Sequence, residues 1–167
     1  MNFRDLTAED IEVRVQSVKS NALILLLYKN ARVDMAILDE TVGAENWQRE
    51  HYECKGNLFC RVGIRCKDAT TARDEWIWKS DCGTESNTEA QKGEASDSFK
   101  RACFNWGIGR ELYTSPFIWV EADKCRIQNG KCYDKFAVEK IKVENKKIVG
   151  LSIVNVSTKQ RCFVWTP

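Results

Sequence analysis

The chain has 167 residues, 43% of them hydrophobic, which is enough to bury a core without help from disulfides or metal. Its 26 basic and 24 acidic residues leave a formal charge of only +2, so any surface for a polyanion has to be local. Eight cysteines would suggest a disulfide framework in a secreted chain, but Met1-Asn2-Phe3-Arg4-Asp5 does not read as a signal peptide, and reduced thiols in a cytoplasmic setting are expected.

Residues 11–18 alternate, with Ile11, Val13 and Val15 against Glu12, Arg14 and Gln16, and read as a strand. Ala22–Tyr28 is a short apolar run, far below the roughly 20 residues that span a bilayer, and reads as a buried strand. Ala31–Val42 carries Ala31, Val33, Met35, Ile37 and Leu38 at helical spacing, closed by Gly43. Three strands in a meander follow, over residues 47–55, 58–67 and 75–81, with a turn at Gly56-Asn57. In the middle strand Cys60, Val62, Ile64 and Cys66 point one way and Arg61, Gly63, Arg65 and Lys67 the other, so one face is apolar and the other basic.

After Gly83 the period changes. Ser86 with Glu89 and Thr88 with Gln91 supply capping-box signals for a helix that runs to about Trp106 and stops at Gly107 and Gly109. Ala95, Phe99, Ala102, Cys103 and Trp106 share the stripe that must face a core, and Asp97, Lys100, Arg101 and Phe104 lie opposite. Beyond Pro116, residues 136–143, 148–155 and 161–165 suggest a lysine-rich β-hairpin with a third strand, expected to pack on the core as a smaller sheet. The fold class is α+β: an antiparallel meander packed on a long helix, with a shorter helix before it and a C-terminal β-hairpin extension. The expected division is a core over residues 1–115 and an extension over 116–167.

Catalytic chemistry finds little support. The glycines build no phosphate-cradling loop ending in Gly-Lys-Ser/Thr. The one histidine, His51, has no nucleophile motif around it, and the cysteines never approach the two-to-four-residue spacing of a zinc site. A magnesium nuclease would need carboxylates converging on one ion; Glu94 and Asp97 are its best candidates, but they read more simply as helix and turn residues.

Single-stranded nucleic acid makes better use of these residues, because it is held by cations that follow the phosphates and by aromatic faces on which bases stack. Lys100 and Arg101 flank Phe104 on the helix side turned away from the core. That side reads equally as a solvated charged face whose Phe104 fills a subunit contact. Arg61, Arg65 and Lys67 add a basic strand face, equally readable as the wet side of a sheet.

The stretch Glu94-Ala95-Ser96-Asp97-Ser98-Phe99-Lys100-Arg101-Ala102, continuing to Phe104-Asn105-Trp106-Gly107, resembles the signature helix of the Rad-fifty-two-like double-strand-break-repair annealing superfamily. The helix from Ala31 leading to Gly43 and Trp47, the strand with Val62-Gly63-Ile64 and the turn Asp81-Cys82-Gly83 follow in the same order. The resemblance covers about residues 13 to 115. Trp47-Gln48-Arg49-Glu50-His51-Tyr52 and Gly107-Ile108-Gly109-Arg110-Glu111-Leu112-Tyr113 look like its bacteriophage (Sak-type) branch.

This resemblance implies a β-β-β-α core whose copies join into a homo-oligomeric ring or filament. It also implies single-stranded DNA along a basic groove, and annealing that needs no ATP or other cofactor. The family's groove-lining lysine–arginine pair falls on Lys100 and Arg101, and a further basic residue of its first helix falls within one position of Arg32. Where relatives often place another arginine, this chain has Phe104. The long C-terminal region with which eukaryotic relatives bind recombinase and single-strand-binding partners is expected to be lacking, with the lysine-rich tail expected to serve subunit contacts or DNA instead. The implied setting is a phage or prophage gene acting in bacterial cytoplasm, with a host single-strand-binding protein as a candidate partner. Two readings compete: a passive strand-protecting module and a metal-dependent nuclease.

Overall fold

Strict alternation along residues 57–67 leaves Cys60, Val62 and Ile64 without exposed surface on one side of a strand. Around it the computed structural model describes residues 1–85 and 89–167. Among these the chain runs β1 (Glu12–Val18), β2 (Ala22–Tyr28), α1 (Ala31–Val42), β3 (Trp47–Cys54), β4 (Asn57–Lys67), β5 (Asp74–Cys82), α2 (Ala90–Trp106), β6 (Ile118–Glu121), β7 (Phe136–Glu144), β8 (Lys147–Asn155) and β9 (Gln160–Trp165), with short 3-10 turns between some of them. The fold is mixed α and β, with antiparallel sheets. No helix among the described residues is long and apolar enough to cross a membrane. The expected capping boxes involve Ser86 and Thr88, which lie outside the described residues.

The chain forms two compact units, one of residues 1–4 and 31–109, the other of residues 5–30 and 110–167. The chain passes between them three times, at 4–5, 30–31 and 109–110; the sequence reading expected a single boundary, at 115.

In the first unit β3, β4 and β5 pair in that order, antiparallel and without a register break. The β3–β4 turn is at Lys55 and Gly56, with φ of 53° and 77°, one residue earlier than expected, and Asn57 already pairs with Cys54. Two left-handed residues in a two-residue loop match the twist of a hairpin. α2 packs on β4 and β5 and also meets α1. Its Ser98, Phe99, Ala102 and Cys103 are fully buried, close to the stripe expected from 100° spacing. The helix stops where Gly107, at φ 101°, turns its N–H back onto the carbonyls of Cys103 and Phe104. At its other end buried Gly83 admits the helix, since a Cβ there would collide with the Glu94 carbonyl oxygen and come within 2.8 Å of the Ser98 nitrogen.

The second unit is a six-stranded sheet in the order β6-β2-β1-β7-β8-β9. Its outermost strands, β6 and β9, approach each other as well, so the sheet curls like a barrel. The C-terminal hairpin forms at the expected place, but β7 pairs with β1 at Glu12 and Ala137, so it shares a sheet with the N-terminal strands instead of making a separate smaller one. Pairing across more than a hundred residues leaves no local mark in the sequence, and β6, with four residues, is too short to show alternation.

Asp134 fastens the loop before β7. Burial alone would raise its carboxyl, but hydrogen bonds from Asn155 Nδ2 at 2.8 Å and from the Arg126 backbone and guanidinium at 2.9 and 2.7 Å outweigh it and hold it below the usual carboxylate range. The Arg161 guanidinium, bound to Glu139 through Nε at 2.7 Å and through a terminal nitrogen at 2.8 Å, holds that carboxyl down to about 2. Both folded values lie below the unfolded ones, about 3.9 for Asp and 4.3 for Glu, so their contribution is present above pH 5 and is lost as pH falls toward 2. Acid titration followed by circular dichroism should show the second unit weakening in that window. A Glu139→Gln/Asp134→Asn variant should show a flatter profile there; an unchanged profile would contradict the assignment.

Cys60, Cys103, Cys125 and Cys162 are buried, and burial pushes the thiols of Cys60, Cys125 and Cys162 up to about 11. These three are protonated, inert small hydrophobes at neutral pH.

Candidate nucleic-acid interface

The absence of bulges in β3, β4 and β5 fixes which side chains share a face. Trp47, Arg49 and His51 of β3 lie opposite Ile64, Val62 and Cys60, which in turn lie opposite Ile77, Lys79 and Asp81 of β5. This is the face that meets α2. Phe99 sits 6.1 Å from the Trp47 ring, with the Arg49 guanidinium 4.7 Å from its own ring centre. The Trp106 indole N–H donates to the Val62 carbonyl at 2.9 Å, and Lys79 Nζ lies 4.8 Å from the Trp106 ring and donates to the Asn105 carbonyl at 3.2 Å. His51 Nε2 is 3.0 Å from the Ala95 carbonyl oxygen. Sheet and helix are therefore stitched along their whole contact, and α2 has one orientation available.

That orientation sets where the expected cations go. Lys100 and Phe104 are half-buried on α2, outside the stripe of Phe99, Ala102 and Cys103, and Arg101 is exposed. Arg101 Nε is 3.5 Å from Asp81 Oδ1, with the two side chains 44% and 27% exposed. A wet pair of this kind contributes about 0–1 kcal/mol and is easily exchanged for a phosphate. Arg32, at the start of α1, is exposed in the same unit.

Arg61, Arg65 and Lys67 do not join this group. They occupy alternate positions to Cys60, Val62 and Ile64, so they project from the side of the sheet that α2 leaves uncovered. The three strand cations and the α2 residues Lys100, Arg101 and Phe104 thus lie on different sides of the sheet. Arg61 is engaged by Glu50, Nε to Oε2 at 2.8 Å, and Arg65 by the Asn46 side chain. The sequence reading missed the aromatic company of these cations: Tyr52, Phe59, Trp76 and Trp78 share their face. The signal was present in the i, i+2 spacing of Trp76 and Trp78, but it becomes legible only once the register with β4 is known.

The carboxylates that a nuclease would use are occupied in holding the helix. Glu94 Oε1 accepts the Leu58 backbone N–H at 3.0 Å, and Asp97 Oδ2 accepts the Thr84 N–H at 3.0 Å and its hydroxyl at 3.3 Å. Among the described residues, no three His, Cys, Asp or Glu side chains are grouped to hold a metal ion.

A helix side that carries Lys100 and Arg101 and is held over a sheet suits a polyanion, and comparison with known families says which kind. The model of the Rad52/22 family double-strand break repair protein matches residues 3–132. The chain belongs to this family. No curated protein and no solved structure matches it. Membership of the Rad52/22 family ties the chain to DNA repair and recombination, with DNA as its partner. The matched span contains α1, β3, β4, β5 and α2 entire and ends before β7 begins.

Proposed function

We propose that the chain is a single-strand annealing protein: it binds single-stranded DNA and promotes pairing of complementary strands without ATP and without catalysis. The observation that carries this reading is the outward side of α2 in a Rad52/22 family chain, where Lys100 and Arg101 stand next to Phe104 and Phe99 locks the opposite side to the sheet. Lys100 and Arg101 take phosphates, with Arg32 as a further cation, and Phe104 offers an aromatic surface where an arginine contact is replaced. β3, β4, β5 and α2 form the β-β-β-α core of this activity, within residues 1–115. The working form is a homo-oligomer, a ring or filament, acting in phage recombination and repair in the bacterial cytoplasm, with a host single-strand-binding protein as a partner.

Phosphate contacts hold a strand in register without reading its bases, which is what a protein that pairs arbitrary complementary sequences requires. Asp81 is the internal competitor for Arg101. Because an exposed pair contributes about 0–1 kcal/mol, Asp81→Asn is expected to tighten oligonucleotide binding by up to about fivefold; weaker binding in a titration at fixed salt would count against Arg101. Whether the protein also drives pairing separates annealing from passive strand protection, since a protecting module binds each strand yet leaves the pairing rate of a complementary pair at or below its spontaneous value. A mass measurement in solution with and without single-stranded DNA tests the oligomer.

A further inference from the structure

The sheet face opposite α2 carries four aromatic rings and three cations within three strands. Tyr52 and Phe59 are direct cross-strand partners, and their rings stack at 5.5 Å between centres and 23° between planes. Trp76 and Trp78 lie two residues apart on β5 with ring centres 6.2 Å apart. Trp78 rests flat on its cross-strand partner Gly63, where a Cβ would come within 2.8 Å of the indole, so this glycine makes room for the ring. The Arg61 guanidinium lies 4.4 Å from the Trp78 ring centre, and Arg65 stands opposite Trp76. Glu50, Tyr52, Arg61, Trp78 and Ser80 line a shallow, open depression. Tyr52 and Trp76 remain 37% and 38% exposed.

Two features of this face select an occupant. Rings left in water on one side of a sheet call for a flat apolar partner. Cations interleaved with them, Arg61 and Arg65 among the rings and Lys67 at the end of β4, call for a partner that also carries negative charge. Single-stranded nucleic acid has both, base faces for stacking and phosphates between them, whereas a duplex keeps its base faces inside its own stack. Glu50 stands against a bare polyanion, since it occupies Arg61 and adds negative charge beside the depression; stacking does not require that Arg61 be released.

We infer that this face is a base-stacking surface for single-stranded DNA, separate from the phosphate site on α2, in which Tyr52, Trp76 and Trp78 receive bases and Arg65 and Lys67 take the adjoining phosphates. The inference rests on the single-stranded-DNA reading above and adds what this side of the sheet recognises: bases, not backbone alone.

The test uses the full chain and two oligonucleotides of equal length, one of thymidines and one abasic, which share phosphates and differ in bases. Wild type should bind the base-bearing strand about 10- to 100-fold more tightly. Tyr52→Ala/Trp76→Ala should lose most of that preference while keeping its dependence on salt. Tyr52→Phe/Trp76→Phe, which retains the rings, should keep the preference and guards against a folding artefact. Lys100→Ala/Arg101→Ala should keep the preference and show a shallower salt dependence. If the alanine pair retained the preference, or changed the mass of the protein in solution instead, the face would be idle or a contact with a second copy, and the inference would be overturned while the α2 reading stood. If wild type bound neither strand, the proposed function itself would fail and take this inference with it.

Discussion

Phe99→Ala should unfold the first unit at markedly lower denaturant, with a loss of about 3–5 kcal/mol, the range for emptying a fully buried phenylalanine site. Phe99 has no exposed surface, and its ring lies against both the Trp47 indole and the Arg49 guanidinium. Neither neighbour can follow the shrinking side chain, because each belongs to a strand whose register is fixed over its whole length. The Trp106 to Val62 hydrogen bond and the tight fit at Gly83 also resist collapse of the helix onto the cavity. Whole domains are stable by about 5–15 kcal/mol, so the variant stands close to unfolding. Urea titration followed by tryptophan fluorescence measures it. Phe104→Ala, on the half-buried outward side, should cost far less stability. Similar losses for the two variants would mean that α2 is not oriented as described.

Lys100→Ala/Arg101→Ala should leave the fold intact and weaken single-stranded DNA binding on the order of 100-fold, two charge-assisted contacts at about 1.5 kcal/mol each. The more diagnostic quantity is the salt dependence. Each phosphate contact on a single strand contributes about 0.7 to the slope of log affinity against log salt, so removing two should make it shallower by about 1.4 per protomer. The loss should be uniform across sequences, since backbone contacts carry no base code. Arg101 starts from an ion pair with Asp81, which lowers its net gain from a phosphate. An unchanged slope in the double variant would remove α2 from the site.

The parts of this molecule that could be read ahead of its structure are those written in local periodicity. Ala22–Tyr28 and Ala31–Val42 have the bounds expected for them, and the buried side of α2 falls on Phe99, Ala102 and Cys103 as helical spacing demands. What could not be read depends on pairing between distant segments. Nothing near Glu12 announces Ala137 as its neighbour, so the sharing of one sheet by both ends of the chain was invisible, as was the short strand β6. The same holds at the site. Alternation alone separated Arg61, Arg65 and Lys67 from Val62 and Ile64, but placing α2 on the apolar side, and therefore Lys100 and the strand cations on different faces, needed the packing of Phe99 and Trp106. The aromatic partners of those cations come from β3 and β5, and only the register assembles them.

Mixing two complementary oligonucleotides at modest salt, without nucleotide, and following duplex formation in the presence and absence of the protein addresses the central claim most directly. The account predicts pairing well above the uncatalysed rate, with the gain largely lost in Lys100→Ala/Arg101→Ala. Strands that are bound yet pair no faster than in buffer would contradict it.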